Sequence, residues 1–314
     1  MRGTHSIKMI FRHTVCLWVS LTYLIFVKNM FTTLRRRLSN YGEFPRRIKK
    51  RHQSFWKVPD AETVRNQRMS AADDMSKWKD VENWQRKLSN KSSAKEFAIK
   101  MGSKVAELYW RGTNFDTLDF NALPENYVIR PTIGHSSGSV FVMHCGTNLF
   151  DNKKYSHLDI RNALSDAVSK NPNVEFLVEE FLKDESGSYS IPTDYKFFCF
   201  NGNIAALGVI NRLSPHSGFE THMDLDWNRI PKMTLAYPEP KNIPEKPACW
   251  EEMVAEVKKL SKAYEIFVRI DFYATDKGAV FGEFTPTPSV GRNFLPFGKK
   301  LLLRYWDTYC KNMI

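Results

Sequence analysis

The chain has 314 residues, of which 42% are hydrophobic and 25% charged, with 15 glycines and 15 prolines. That composition excludes a disordered chain, a collagen-like repeat and a disulfide-stapled miniprotein, and the length allows two or three lobes around a sizeable core. The formal charge of +12 points to nucleic acid until it is divided along the chain: residues 1–60 hold 13 Lys/Arg against 2 Asp/Glu, and the rest hold 33 against 32. The body is almost neutral and shows no repeated reading motif, so no nucleic-acid partner is expected.

In the basic leader, His13 is followed by fourteen uncharged, mostly apolar residues before Lys28. A spanning helix needs about 20 such residues, so the segment suits a signal-peptide core, an interfacial helix, a marginal anchor or an unstructured extension. No small-residue cleavage site follows it. More positive charge lies on its C-terminal side (Lys28, Arg35 to Arg37, Arg46, Arg47, Lys49 to Arg51) than on its N-terminal side. Insertion would therefore leave the body in the cytoplasm. Without insertion, residues 35–57 could still hold an anionic surface at about 1 kcal/mol per Lys/Arg. The expectation is a cytoplasmic body with membrane-surface contact through residues 12–57. Cys16, Cys145, Cys199, Cys249 and Cys310 contain no C-x-x-C pair, as suits free thiols in a reducing compartment.

Residues 61–90 lack Pro and Gly, and Met75, Trp78, Val81 and Trp84 recur every three residues, which predicts one or two amphipathic helices. A further helix is predicted over 92–101, closed by Gly102. From Asn126 onward short β-rich runs take over, at 127–130, 139–144, 175–182, 195–200, 203–213, 266–274 and 279–284. Helices fit at 157–168, 250–264 and 298–309, and 214–249 reads as loop with one strand whose place the pattern does not fix. Strands interleaved with single helices argue for an α/β or α+β layering.

Three constellations have chemical potential. In YVIRPTIGHSSGSVFVM (127–143), a strand ends in Arg130 and leads into a small polar turn. Such a turn either makes a plain hairpin or leaves N–H groups for phosphate oxygens beside a cation. In FLVEEFL (176–182), Glu179 and Glu180 sit among apolar residues, and Lys196 lies in the next β run. These charges either face water on a sheet edge or are buried and paired. In VRIDFYATDKGAVFGEF, Asp271 and Glu283 fall on two strands joined by a short turn, as neighbours across the pair. Such carboxylates are either structural or share a proton or a hard cation, and Mg²⁺ completed by phosphates is one such cation.

Together with NKSSAKEFAIKMG (90–102), DYKFFCFNG (194–202) and GEFTPTPSVGRNFLPF (282–297), these motifs resemble, in order and spacing, the ATP-grasp superfamily. The likeness is to its teichuronopeptide-biosynthesis branch, and it runs from about Asn90 to Arg304. It implies an α+β fold of two lobes clasping the nucleotide, with a helical N-terminal extension. The expected division is a leader (1–60), a helical region (61–125), a small lobe (126–182) and a large lobe with the metal site (183–314). The resemblance further implies ATP and Mg²⁺ as cofactors. Lys91 and Arg130 would contact phosphate, Arg130 standing where a Lys is usual. His135, Ser136, Ser137, Gly138 and Ser139 would cover the β- and γ-phosphates. Glu179, Glu180 and Leu182 would form the adenine hinge, and Lys196 would face the triphosphate. Asp271 and Glu283 would be metal ligands, and Arg292 is a candidate to grip an acceptor carboxylate. Glu283 is followed by Phe284 and Thr285 rather than the x-Asn of many ATP-grasp enzymes, which weakens the link to D-alanine ligase-like members. The implied activity is ligation of a carboxylate to an amine through an acyl phosphate, with small-molecule or polymer acceptors in polysaccharide or peptide-polymer modification. A small-molecule or sugar kinase and a non-catalytic ATP-binding module on the same fold are the alternatives.

Overall fold

The computed structural model describes Met30 and residues 39–134, 139–214 and 216–313. The apolar segment of the leader and loop residues His135, Ser136, Ser137 and Gly138 lie outside them. The helices are α1 (Glu43–Trp56), α2 (Ala61–Asn66), α3 (Met75–Trp78), α4 (Lys91–Lys100), α5 (His157–Lys170), α6 (Trp250–Tyr264) and α7 (Pro296–Tyr309). The first sheet contains β1 (Leu108–Gly112), β2 (Asn126–Pro131), β3 (Phe141–His144), β4 (Thr147–Asn148), β5 (Lys153–Lys154) and β6 (Phe176–Glu180). Its order is β1-β6-β2-β3-β4-β5, antiparallel throughout. The second contains β7 (Asp194–Phe200), β8 (Asn203–Ser214), β9 (Ser217–Met223), β10 (Phe267–Thr275) and β11 (Gly278–Thr285), in the order β11-β10-β7-β8-β9, and it too is antiparallel. This is the expected α+β class.

Alternation along the strands decides what each sheet buries. On β2, β3 and β6, Tyr127, Ile129, Met143, Phe176 and Val178 pack with Ile160 and Leu164 of α5. Helix α5 begins at a capping box in which Ser156 and Asp159 exchange side-chain-to-backbone bonds, two otherwise orphan donors being satisfied at once. In the second sheet Tyr195, Phe197, Val209, Ile270 and Phe272 face α6, where they meet Met253, Val257, Leu260 and Tyr264. The opposite face of that sheet carries the charged residues and looks onto the cleft.

Three segments differ from expectation or sharpen it. Residues 61–90 form α2, α3 and a 3₁₀ turn at Trp84–Ser89 in place of one or two amphipathic helices. Trp78 and Trp84 lie against Phe97 of α4 at 5.2 and 5.7 Å between ring centroids, so the tryptophan spacing reflects two separate anchors. Ser70, whose amide bonds the Asp73 carboxylate, and Asn83, held at φ 53°, set turns between those anchors. Within 214–249 lies strand β9. It is the strand left unplaced there, and because its Glu220, Thr221 and His222 are buried but polar a hydropathy pattern does not fix its bounds. Part of the basic leader is helix α1, which buries Phe44, Ile48 and Phe55, each worth about 1.5–3 kcal/mol. A 14-residue helix is marginal alone, and this packing stabilises it. Three of its cations are already engaged, while Lys49 and Lys50 are exposed. Arg46 and Arg47 pair with Glu43, Arg47 also with Asp307, and Arg51 is wholly buried, donating to Phe267 O at 2.6 Å beneath the Trp306 ring. Among the described residues no helix is long and apolar enough to cross a membrane.

Candidate active site

A cleft of about 910 Å³ lies between the two sheets. Strand register sets its large-lobe wall: Asp271 on β10 is directly opposite Glu283 on β11 and, on its other side, opposite Lys196 on β7. All three side chains therefore share one face. Arg269, two residues before Asp271, shares it as well. Its Nε and Nη2 donate to the two Asp271 oxygens at 2.7 Å each, and Nη2 also reaches Glu283 Oε1 at 3.2 Å and Thr285 Oγ1 at 2.9 Å. Such a bidentate fork is the strong form of the pair. Lys196 Nζ donates to Asp271 Oδ2 and lies 2.6 Å from Asp194 Oδ2, which Arg212 approaches at 3.4 Å.

Only 2% of Asp271 is exposed. Burial works against its charge, but Arg269 and Lys196 prevail and hold the carboxyl below its ordinary pKa. Glu283 is more open, with 33% of its side chain exposed and Lys91 Nζ 3.9 Å from Oε2. Burial opposes its ionisation, while Lys91 and Arg269 lower its pKa despite the repulsion of Asp271. Two hard-oxygen donors on facing strands fit Mg²⁺, which takes one or two carboxylates and completes its shell with water and phosphate oxygens. Among the described residues no group of three or more His, Cys, Asp or Glu gathers to hold an ion unaided, so any metal here would rely on such outside ligands. Asp271 is engaged by two cations, and Glu283 is the more available oxygen.

The small-lobe wall is built on a buried triad. Glu179 on β6 is 2% exposed, with Lys95 Nζ of α4 at 2.8 Å from Oε1 and Arg130 Nε of β2 at 3.0 Å from Oε2. Burial disfavours the Glu179 carboxylate, yet Arg130 and Lys95 hold its pKa below the ordinary value. Burial also lowers Lys95 to about 8. Lys91, at the start of α4, reaches Gly134 O at 3.4 Å, and burial lowers its pKa against the pull of Glu283.

The residues singled out from sequence thus fall into distinct settings. Lys91, Arg130, Glu179, Glu180, Leu182, Lys196, Asp271, Glu283 and Arg292 all line the cleft. The Glu179 side chain, expected at the hinge, is consumed by the triad. Glu180 turns to Lys277 and to the Glu107 amide, and among the described residues no backbone bond engages the Leu182 amide. Ser139 is exposed at φ 55°, and Arg292 is exposed on the loop after Pro288–Gly291. Sequence reasoning missed Arg269, Lys95 and Asp194. The R-x-D alternation on β10 and the four-residue step from Lys91 to Lys95 on α4 were the signals that could have found the first two.

A model of the TupA-like ATP-grasp family matches residues 73–301. No curated protein matches the sequence. Among solved structures, the chain is similar to D-alanine–D-alanine ligase from Helicobacter pylori, with 16% identity, 72% of this chain and 62% of that chain covered, and a TM-score of 0.46. The ATP complex of D-alanine–D-alanine ligase from Bacillus anthracis gives 15% identity, 71% and 65% coverage and a TM-score of 0.45. L-amino acid ligase from Bacillus licheniformis gives 12% identity, 63% and 43% coverage and a TM-score of 0.43. The chain thus spans less than two thirds of the length of these structures. With the family match running through α4, both sheets and α6, and with the matched segment supplying both charged walls of the cleft, the chain belongs to the TupA-like ATP-grasp family.

Proposed function

We propose that the protein is an ATP- and Mg²⁺-dependent carboxylate–amine ligase. The observation that supports this most is the charge arrangement across one cleft. On the small-lobe side two cations, Lys95 and Arg130, meet a single carboxylate, Glu179. On the opposite side Asp271 and Glu283 stand on facing strands with Lys196 and Arg269 beside them. A polyanionic nucleotide with its cation suits both walls, the phosphates against Lys91, Arg130 and Lys196. The Leu182 amide and the Glu180 carbonyl would read the adenine edge, and Ser139 with its loop would lie over the phosphates.

A substrate carboxylate attacks the γ-phosphate, the bond from that phosphorus to ADP breaks, and an amine then displaces phosphate from the acyl phosphate. The protein contributes no nucleophile. Lys196, Arg130 and Arg269 act by position and by stabilising charge as it moves. Mg²⁺ held by Asp271 and Glu283 would offset phosphate charge. Arg292 would grip an acceptor carboxylate. The kinship with teichuronopeptide-type enzymes favours an acceptor in polysaccharide or peptide-polymer modification, and the basic leader favours work at the cytoplasmic membrane surface. A thermal-shift series with ATP, with and without Mg²⁺, tests the first part. ADP release over a panel of amino acids, uronic acids and amino sugars then tests the second. We expect a nucleotide shift that needs Mg²⁺ and turnover that needs both a carboxylate and an amine. Phosphate transferred to a hydroxyl, or binding without turnover across the panel, would overturn the ligase assignment.

A further inference from the structure

Beyond the residues already assigned, the cleft face of the second sheet holds one more carboxylate. Glu220 on β9 is 3% exposed yet lines the cleft. Its Oε2 accepts from Thr234 Oγ1 at 2.5 Å. Among the described residues the one basic group within ion-pair distance is His222, whose Nε2 lies 3.5 Å from Oε1. His222 is itself fully buried, neither ring nitrogen has a hydrogen-bond partner among the described residues, and burial holds its pKa down to about 4. It is therefore neutral and does not balance the carboxylate. A buried carboxylate without a paired cation costs several kcal/mol, so this residue is poorly explained as a structural element.

The sheet makes room for it. Lys196, Gly208 and His222 stand in one cross-strand row on β7, β8 and β9. A Cβ on Gly208 would lie 3.0 Å from Glu220 Oε1. The missing side chain lets the carboxylate lean across β8, on the same face as Lys196 and Asp271. The groups that face Glu220 are His222 on its own strand, Thr234 and Lys232 from the segment after β9, Lys196 from β7 and Arg269 from β10. Burial raises its pKa, and the cations offset this in part, which leaves a stronger base than an exposed glutamate.

We propose that Glu220 receives the amine substrate, binding its ammonium group and taking the proton that must leave before nitrogen can attack. The inference rests on the ligase reading above. R-NH₃⁺ gives one proton to the Glu220 carboxylate, and the freed lone pair attacks the acyl carbon. The C–N bond forms, the C–O bond to phosphate breaks, and the second nitrogen proton leaves with the phosphate as HPO₄²⁻. Thr234 is a positioning residue that holds the carboxylate over Gly208.

The test uses hydroxylamine, which is largely unprotonated at neutral pH and needs no base, against ordinary primary amines. Wild-type protein with Mg·ATP is screened over amino acids and uronic acids for hydroxamate, and the carboxylate found is then offered to amino acids and amino sugars. For Glu220→Gln we expect amide formation to fall by about 10²-fold or more, the usual worth of a general base, and hydroxamate formation to fall by less than about tenfold. For Glu220→Asp, which retains a carboxylate, we expect an intermediate amide rate with its acid limb displaced in pH. Circular dichroism and the Mg·ATP thermal shift establish that each variant folds, and Glu220→Asp carries the test if Glu220→Gln does not. Equal loss of amide and hydroxamate, or no loss of either, would overturn the Glu220 assignment. Absence of hydroxamate from wild type with every carboxylate would instead overturn the ligase reading beneath it.

Discussion

The two walls of the cleft solve the same problem, a buried carboxylate, in different ways. In the small lobe Glu179 has two cations to itself, one of them a lysine that burial has already brought down to about 8. In the large lobe Asp271 is clamped by Arg269 and Lys196 within a wider network that also contains Asp194, Glu283 and Arg212. On the strands of its own sheet that network counts three carboxylates and three cations, with Lys91 of α4 reaching Glu283 from the other side of the cleft, against one and two in the triad. Positive charge is therefore in surplus on one wall and balanced on the other. Surplus suits anion binding, while a balanced network whose outer oxygen, on Glu283, stays accessible can admit a cation.

The largest effect that follows is at Asp271. Asp271→Asn leaves Arg269 and Lys196 facing each other without the carboxylate between them, and removing one member of a buried pair costs about 3–5 kcal/mol. Urea unfolding should show that loss, together with loss of the Mg²⁺-dependent ATP shift. Glu179→Gln should cost less, about 1.5–3 kcal/mol, because Lys95 can give up its proton once its partner is gone. If the two substitutions cost the same, the distinction drawn between the walls is wrong. Glu283→Gln separates function from stability most cleanly. It should stay within about 0.5–1 kcal/mol of wild type but weaken ATP binding at least about tenfold, equivalent to 1.4 kcal/mol, in the presence of Mg²⁺ only. Equal weakening without Mg²⁺ would remove Glu283 from the metal assignment.

The last effect is a pH dependence. The folded-state pKa of Lys95 is near 8 against an ordinary 10.5. Between these values the unfolded chain holds more protons than the folded one, so this residue makes stability rise with pH across that window. Lys95→Met should lack that rise relative to wild type in denaturation curves taken from pH 8 to 10.5.

Much of this architecture was legible in the chain itself. Asp271 and Glu283 flank a short turn between apolar strands, so a hairpin brings them close, but its register from Thr275 and Gly278 to Phe272 and Phe281 would set Asp271 against Gly282, and only a one-residue bulge there puts Glu283 opposite it. Arg130 and Lys196 could be placed on their strands by local pattern, while Lys91, just ahead of the predicted helix, came from the family likeness. Strand β9 could be allowed for within 214–249 but not placed, because both its faces are buried and one of them carries Glu220 and His222, which blurs the hydropathic signal. Residues 61–90 misled for the opposite reason. Their tryptophans have helical spacing, yet each is held by a separate tertiary contact, and such contacts override a short-range pattern.

What the sequence by itself determined is what depends on neighbours a few residues apart: the alternation of the strands, the capping of α4 and α5, the concentration of basic charge before residue 60, and the family likeness. What only the tertiary structure decided is which charges meet. Arg51 lies beneath Trp306, Lys95 and Arg130 share Glu179, and Glu220 leans over Gly208. Those pairings join residues as much as 255 positions apart. Burial, which makes a charge costly and its partner necessary, exists only once the two sheets and α1 have closed around them.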